Sequence, residues 1–408
     1  MRKLIFLLLF IFAAYPIFAQ KKDILQAGDW IKEGKNLNKA EQSMMTLLQD
    51  SANRHNERIW NTLFEALHKQ YEQGNEKLYL NQKYDTASLF NIASRMFTAM
   101  ESFDSIDSQP DKKGKIRPKY RKENSALLNS LRPNLYNGGT FFIIKHDYDS
   151  AYYFFNQYIE SAYQPLFKAY NYIVNDKRIP KAAYWAVYCG YKMGDTQKVL
   201  HNTYLALKDT SHYENMLQYL AATYKQEKDT VRFIRTLNDG FNRYPLSPFF
   251  FPNLIEAYSH IGDWKSALLT ANKALKADST NIVFLLTKSS VLLNTGDYGA
   301  CFSICDSIIN VQNKEKENSI SRVPDEAYLY AGLAKFNLGV ALDKNVQYSR
   351  RNRKAIMQYY REALPYLEKY RNLQPNAIDK WSLPLYTIYL NLNMGDKFDE
   401  IDNIMKKK

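Results

Sequence analysis

The sequence predicts an all-α protein built as an α-solenoid of antiparallel helix pairs. Glycine (15) and proline (13) are both scarce among the 408 residues, which disfavours a turn-rich β architecture. A turn recurs every 34 residues through the middle of the chain, and a fixed period of this length is typical of helical repeats. Apolar residues at helical spacing flank each turn, so each repeat is expected to be a pair of amphipathic helices.

The first expected element is a signal peptide at 1–19. Arg2 and Lys3 precede an apolar run, and Pro16 leads to an expected cleavage site after Ala19, which together form a secretory signal. The apolar run is shorter than the roughly 20 residues of a membrane-spanning helix, so cleavage is favoured over an uncleaved anchor. No cysteine follows the run, which excludes a lipid-attachment site there. We therefore expect an exported chain, periplasmic or associated with the outer membrane, with no transmembrane helix after cleavage.

The N-terminal half is expected to be helical but diverged from the repeat. Residues 20–123 are predicted to hold divergent helix pairs, and residues 124–180 a further diverged unit. Between 101 and 123 the chain turns polar and contains Pro110 and Pro118. Because proline and polar clusters mark irregular structure, this stretch is interpreted as a long loop.

The segment 181–315 is predicted to hold four units in one 34-residue register. Its turns lie at Gly194-Asp195, Lys228-Asp229, Gly262-Asp263 and Gly296-Asp297. Glycine adopts the left-handed conformation that ends a helix, and an aspartate after it caps the next helix. The small Ala267 is expected at a close helix crossing, where a larger residue would cost roughly 1–3 kcal/mol.

The C-terminal segment 316–408 is predicted to hold two further helix pairs. The first pair is expected to be interrupted by an insert at 339–354. The last pair is expected to start at Trp381, with a turn at Met394-Gly395-Asp396. The repeat pattern therefore covers most of the chain, with interruptions.

The strongest unit, about 248–281, resembles the tetratricopeptide repeat (TPR) family. The match rests on small residues in the second helix, aromatic residues around the turn and a closing proline: Ala267, Ala271, Ala274, Tyr258, Trp264 and Pro245. The resemblance implies a right-handed superhelix whose inner wall is the usual ligand surface. It also implies a non-catalytic scaffold of the bacterial periplasm or cell envelope that binds a partner protein or peptide in its groove.

The family's groove positions, placed on the 34-residue register, select a polar, amide-rich and aromatic set suited to a peptide. These candidate partner-binding residues are Lys181, Tyr184, Tyr188, Tyr191, Lys192, Asn215, Gln218, Lys225, Gln226, Glu256, His260 and Asn294. The set lacks the lysine and asparagine constellation with which chaperone-binding members hold a C-terminal carboxylate, so that ligand class is not expected. An ordinary solvated helix face is the alternative at each position.

Two basic runs form a second candidate contact, in a chain whose formal net charge is +13. The candidate docking residues are Lys112, Lys113, Lys115, Arg117, Lys119, Arg121, Lys122, Arg350, Arg351 and Arg353. Charge at this density attracts anions within one Debye length, about 8–10 Å at physiological salt. An acidic partner or the anionic membrane surface is expected rather than nucleic acid, because an exported chain meets these first. A solvated, flexible loop is the alternative.

No catalytic site, cofactor or metal site is predicted. The six histidines are scattered, and none pairs with a second histidine or cysteine at metal-ligand spacing. They are expected at the surface or at helix ends. Neither a nucleophile elbow nor a phosphate-binding loop occurs in the sequence. Cys301 and Cys305 lie four apart on a predicted helix and are expected to be small core residues.

The alternative function is a carbohydrate-capture module of an outer-membrane nutrient-uptake system. Exposed tryptophans would favour it, because sugar platforms use aromatic faces. Trp264 is expected in the core, and the sequence leaves Trp30, Trp60, Trp185 and Trp381 undetermined.

Overall fold

The computed structural model describes residues 20–315, 323–343 and 346–406, and the regular elements within these ranges are all helices. The chain divides into two compact units, Met1–Thr230 and Val231–Lys408. In each unit, consecutive helices pack side by side and are joined by turns. The predicted all-α fold of stacked antiparallel helix pairs is therefore confirmed. The predicted signal peptide at 1–19 lies outside the described residues.

Unit 1 is a stack in which each long helix packs against the next. Its helices are α1 (20–33), α2 (Leu37–Gln49), α3 (Glu57–Tyr79), α4 (Thr86–Asp107), α5 (Arg121–Leu131), α6 (Pro133–Ile144), α7 (Tyr148–Glu160), α8 (Tyr172–Asn175), α9 (Ile179–Met193), α10 (Thr196–His201), α11 (Thr203–Ala206) and α12 (Tyr213–Gln226). Their buried apolar residues form one core cluster that extends from Ile24 to Leu220.

Unit 2 continues the same arrangement. Its helices are α13 (Thr230–Arg243), α14 (Phe250–His260), α15 (Trp264–Ala277), α16 (Ile282–Thr295), α17 (Tyr298–Glu315), α18 (Asp325–Asp343), α19 (Val346–Leu373), α20 (Ile378–Asn391) and α21 (Gly395–Lys406). A core cluster extends from Leu292 to Ile401. It includes Cys301 and Cys305, both fully buried and free, which confirms that they are small core residues.

The four predicted turns share one backbone geometry. Gly194, Lys228, Gly262 and Gly296 all have φ between 58° and 86°. After each of them, the aspartate N–H donates to the carbonyl oxygen five residues earlier, at 2.9 or 3.0 Å. This bond closes a helix that ends in a left-handed residue. Three of the aspartates also accept a bond from the backbone N–H three residues ahead, and these are Asp195, Asp263 and Asp297.

The same turn occurs outside the segment in which the 34-residue register was found. The left-handed residues there are Gly34, Asn81, His146 and Asn393, and each is followed by the same backbone bond across five residues. Asn393 corrects the predicted last turn, because Gly395 begins α21 instead of forming the turn. Asparagine accepts the left-handed conformation more readily than most residues, so no glycine marks that turn.

Lys228 provides a test of this turn geometry. It is exposed with a φ of 58°, and the left-handed conformation costs a residue with a Cβ roughly 1–2 kcal/mol. We expect Lys228→Gly to raise the free energy of unfolding by about 1 kcal/mol, measured by urea denaturation. The reverse change at the equivalent turn, Gly262→Lys, should lower it by a similar amount. Stabilisation by both changes would contradict this explanation.

The polar loop is shorter than the predicted stretch 101–123. Helix α4 extends to Asp107 and α5 begins at Arg121, which leaves 108–120 as the loop. The last turns of α4 are helical because Phe103 is buried there and stacks on Trp60, with ring centroids 5.8 Å apart. Tertiary packing thus overrides the polar composition of this segment.

The predicted insert at 339–354 is mostly helix. Helix α18 continues to Asp343 and α19 begins at Val346. Gly339 does not form a turn: it lies within α18, where an added Cβ would be 2.6 Å from the ring of Tyr360. The glycine therefore permits a close helix crossing. The basic residues after it extend α19, because arginine and lysine are good helix formers.

A buried arginine joins the end of α5 and the start of α6 to α7 and α8. Arg132 is 5% exposed, and its guanidinium lies between the rings of Tyr158 and Tyr172, 3.8 and 3.9 Å from their centroids. Its nitrogens donate to the Asp176 carboxylate, the Ser161 hydroxyl and the Tyr158 carbonyl oxygen. Each side of this charged group is therefore either bonded or stacked.

The carboxylate of this network is held in its charged form. Burial acts to raise the pKa of Asp176, but hydrogen bonds from Tyr158 and Arg132 outweigh it and keep the pKa below its ordinary value. Burial also raises the pKa of Tyr172 to about 12. At physiological pH the network consequently contains one cation, one anion and neutral tyrosines, a fully paired arrangement.

Candidate partner-binding surface

Helices α9 and α12 place a group of aromatic rings side by side in unit 1. Tyr184, Tyr188 and Tyr191 follow the spacing i, i+4, i+7 along α9, which puts them on one helical face. Helix α12 packs against α9 and adds Tyr219. We call the whole group the α9–α12 aromatic cluster, and its members are Tyr148, Tyr184, Trp185, Tyr188, Tyr191, His212 and Tyr219.

The rings of the α9–α12 aromatic cluster contact one another in sequence. Tyr184 stacks on His212 with centroids 4.1 Å apart, and Tyr191 stacks on Tyr219 at 4.5 Å. Trp185 meets Tyr188 edge-on at 5.5 Å. These are the offset and edge-to-face geometries that aromatic pairs prefer. The rings therefore restrict one another's rotamers and present an ordered surface.

Polar groups surround these rings. Asn215 donates from its side-chain amide to the Tyr184 hydroxyl at 3.3 Å, and Gln226 donates to the Gly194 carbonyl oxygen at 3.0 Å. The ammonium of Lys192 lies 5.5 Å from the centroid of the Tyr188 ring, within the range of a cation–π contact. The surface therefore combines apolar rings with amide donors and cations.

The hydroxyls of Tyr188 and Tyr219 in the cluster remain neutral at physiological pH. Burial raises the pKa of Tyr219, and a hydrogen bond with Tyr184 raises it further. Burial also raises the pKa of Tyr188, and the nearby Tyr148 adds to the effect. A neutral hydroxyl both donates and accepts hydrogen bonds. The cluster can therefore satisfy either group of a peptide backbone.

The structure places the predicted residues of unit 1 at different depths. Tyr184 is only 3% exposed, because the ring of His212 stacks on it, so little of this predicted groove residue is open to a partner. Tyr188 is half-buried and Tyr191 is 39% exposed. The remaining predicted residues lie around the cluster, with Gln218 half-buried and the others exposed, namely Lys181, Lys192, Asn215, Lys225 and Gln226.

The other three predicted residues belong to unit 2 and are exposed there. Glu256 and His260 lie on α14, and Asn294 lies on α16. The Asn294 side-chain amide donates to the Ser290 carbonyl oxygen of its own helix at 2.8 Å. These residues are not part of the aromatic cluster.

Sequence analysis missed four members of the cluster, Tyr148, Trp185, His212 and Tyr219. Trp185 and Tyr219 are 34 residues apart and so occupy equivalent repeat positions, a signal that could have identified the pair. His212 ends a short 3-10 helix, and its Nδ1 lies 2.8 Å from the Asp209 carboxylate. It is thus a helix-end residue, as predicted for the histidines, but sequence spacing gave no sign of its stacking on Tyr184.

The predicted basic docking residues are divided by their contacts. Lys119 pairs with Glu57 at 3.0 Å and Arg121 with Asp104 at 2.8 Å, so these two cations are neutralised within the chain. Lys119 is nevertheless exposed, as are Lys112, Lys113, Lys115, Arg117 and Lys122. Arg351 and Arg353 are exposed on α19, whereas the side chain of Arg350 falls outside what the structure describes.

The described residues contain neither a metal-binding cluster nor a membrane-spanning helix. Within 20–315, 323–343 and 346–406, no cluster of three or more histidine, cysteine or acidic side chains has the arrangement of a metal site. In the same ranges no helix combines the length and hydropathy needed to cross a membrane.

No protein-family model matches this chain, and no curated protein matches it either. Solved structures with similar helical arrangements include a tetratricopeptide repeat protein from Parabacteroides merdae, with 12% identity over 68% of this chain and 92% of that one, at a TM-score of 0.36. The pilF protein of Pseudomonas aeruginosa shares 14% identity over 63% and 99% of the two chains, at 0.30. Yeast Tom70 shares 13% identity over 95% and 91%, at 0.33.

Proposed function

We propose that this chain is a non-catalytic scaffold that binds a partner protein or peptide on the α9–α12 aromatic cluster. The observation that carries the proposal is the ordered stack of rings on two packed helices, with Tyr191 at its exposed edge. Tyrosine and tryptophan are enriched among the residues that dominate protein-binding energy, because they bury a large area at little entropic cost. A surface of this kind suits an extended or helical peptide segment.

The groups around the cluster favour a partner segment with acidic residues. Lys181 and Lys192 are exposed on α9, and amide side chains lie beside them on α12. Cations at the edge of an interface attract an acidic partner and raise its association rate. The neutral tyrosine hydroxyls add hydrogen bonds to the peptide backbone. We expect the bound segment to combine apolar side chains with carboxylates.

The proposal includes export to the periplasm or cell envelope, which rests on the signal peptide predicted at 1–19. Cell fractionation of the tagged chain, with N-terminal sequencing of the product, tests this part. A product that begins after Ala19 in the periplasmic or envelope fraction is expected. An uncleaved product in the cytoplasm would contradict export without affecting the binding surface.

The carbohydrate-capture alternative receives no support from the tryptophans. Trp60 and Trp381 are buried, and each donates its indole N–H to a backbone carbonyl oxygen. Trp30, Trp185 and Trp264 are half-buried. None of the five is therefore an exposed ring of the kind that a sugar platform uses.

Affinity capture from solubilised envelope tests the proposed surface. The probe is the chain from Gln20 onward, compared with a Tyr191→Ala/Lys192→Ala variant. Both changed side chains are exposed, so folding should be unaffected. We expect a specific partner to be recovered by the unchanged chain, and its affinity to fall about thirtyfold or more in the variant.

The matched control is Tyr79→Ala, which removes a tyrosine that is 85% exposed at the end of α3. This variant should retain the partner at full affinity. Equal recovery by all three proteins would reject the cluster as the binding surface. Loss of the partner in the Tyr79 variant as well would show that recovery depends on general stickiness of exposed aromatic residues.

A further inference from the structure

The loop at 108–120 contains a tight turn fixed by hydrogen bonds. The Asp111 N–H donates to the Lys115 carbonyl oxygen at 2.9 Å, and the Gly114 N–H donates to the Asp111 carbonyl oxygen at 2.8 Å. The Asp111 carboxylate accepts from the backbone N–H groups of Lys113 and Lys115 at 2.8 and 2.9 Å. The basic residues are thus displayed on a defined turn.

The second half of the loop is anchored to α3 and α4. The ring of Tyr120 packs on Phe103 with centroids 5.3 Å apart. Its hydroxyl donates to Glu57 at 2.7 Å, and its N–H donates to Asp107 at 2.9 Å. Lys119 adds a salt bridge to Glu57. The loop is therefore held at a fixed place on unit 1.

The nearby carboxylates form hydrogen bonds within these anchors and within the turn. Glu57, Asp104, Asp107 and Asp111 each accept bonds within the anchor or the turn. Among the residues that the structure describes, no salt bridge joins a carboxylate to the four exposed cations Lys112, Lys113, Lys115 and Arg117. Four positive charges and the one negative charge of Asp111 lie within seven residues, and this net positive charge can attract an anionic partner.

An exposed aliphatic side chain lies among these cations. Ile116 is 60% exposed, between Lys115 and Arg117. A cavity of about 570 Å³ beside the start of the loop is lined by Arg54, His55 and Gln109. The surface therefore combines clustered cations with one projecting apolar residue.

We propose that the loop at 108–120 docks this protein peripherally on an anionic lipid surface. Lysine and arginine side chains near such a surface interact with lipid phosphates, and an apolar side chain inserts at the boundary of headgroups and acyl chains. Ile116 favours lipid over an acidic protein as the partner. A single isoleucine flanked by cations can insert among lipid headgroups, whereas a folded protein would need a matching apolar pocket to bury it. This surface is distinct from the aromatic cluster, so the inference goes beyond the proposed function.

Sedimentation with vesicles tests the proposal. The chain from Gln20 onward is mixed with one of two kinds of vesicle. The anionic vesicles contain phosphatidylcholine with about 30% phosphatidylglycerol, and the neutral vesicles contain phosphatidylcholine alone. Omission of 1–19 removes an apolar run that would itself bind lipid. We expect binding to the anionic vesicles and none to the neutral vesicles. Salt at roughly 0.5 M should abolish this binding, because the Debye length is then only about 4 Å. Binding that is equal on neutral vesicles, or absent from both, would overturn the proposal.

Two variants of the loop and one matched control locate the surface. Replacing Lys112, Lys113 and Lys115 with Gln should lower partitioning about one hundredfold, since each basic residue contributes roughly a factor of five. Ile116→Ser should lower it about tenfold without a change in charge. The control replaces Lys265, Lys273 and Lys276 with Gln, which removes the same charge from exposed positions on α15, and should change partitioning less than about threefold.

The outcomes separate this inference from the proposed function. Equal loss in the loop variant and the α15 control would mean that net charge alone drives binding, which overturns a specific docking loop. Loss of an acidic protein by the loop variant, with vesicle binding unchanged, would assign the loop to that partner instead. The Tyr191→Ala/Lys192→Ala variant should still bind vesicles, because its changes lie outside the loop.

Discussion

Arg132→Ala is expected to lower the free energy of unfolding of unit 1 by about 3–5 kcal/mol, the cost of breaking a buried ion pair by removing one partner. The change leaves the Asp176 carboxylate, whose side chain is 13% exposed, without its cation. It also removes the stacking on Tyr158 and Tyr172. Urea denaturation followed by far-UV circular dichroism measures the decrease in the free energy of unfolding. A second spectroscopic probe follows unit 2, so that the unfolding of the two units can be told apart.

Arg178→Ala is the matched control for Arg132→Ala. Arg178 is exposed and lies two residues after Asp176, to which it donates only from its backbone N–H. Its removal should change the free energy of unfolding by less than about 0.5 kcal/mol. The double change Arg132→Ala/Asp176→Ala should cost less than the sum of the two single changes, because the unpaired carboxylate is then gone. Strict additivity would show that the two groups do not stabilise each other.

Gly240→Ala is expected to destabilise unit 2 by about 3 kcal/mol, at the upper end of the usual cost of overpacking. An added Cβ at Gly240 would be 2.2 Å from the nearest ring carbon of Phe250. Phe250 is fully buried and begins α14, so the ring has little room to move. This steric cost should outweigh the roughly 1 kcal/mol that alanine gains over glycine in a helix.

Gly299→Ala is the control in the same unit. Gly299 lies in α17 and has no atom within 4 Å of an added Cβ, so the change should not destabilise the protein. Adding Phe250→Leu to Gly240→Ala should recover part of the loss, because a smaller side chain relieves the overlap. Thermal unfolding of the three variants measures these differences. If Gly240→Ala left the thermal stability unchanged, α13 and α14 would be able to move apart at little energetic cost, contrary to this prediction.

The candidate binding surface could be predicted only as far as the repeat pattern reaches. The 34-residue register identified α9, α12, α14 and α16 as first helices of successive units, and three of the tyrosines of the aromatic cluster were selected from it. The register predicts which face of a helix a residue occupies, but it does not predict how deeply the side chain is buried. Tyr184 was therefore placed at the surface, although the ring of His212 stacks on it.

The basic loop shows the same difference between what the sequence predicts and what packing determines. Composition identified the positive charge of this loop, but the sequence gave no means of telling which of its seven cations are paired with carboxylates. The structure separates Lys119 and Arg121, which pair with acidic residues of α3 and α4, from the free cations of the turn. Those acidic partners are distant in sequence, Glu57 by 62 residues from Lys119, so local reading could not find them.

The sequence by itself determined the helical pairs and their principal turns. A left-handed residue followed by a capping aspartate is a local feature, governed by backbone sterics and hydrogen bonds within a few residues, and so Gly194, Gly262 and Gly296 could be identified directly. Tertiary structure alone decided which rings are buried and which charges are neutralised. It also enclosed Arg132 between two tyrosines, because burial and pairing depend on residues that only packing brings together.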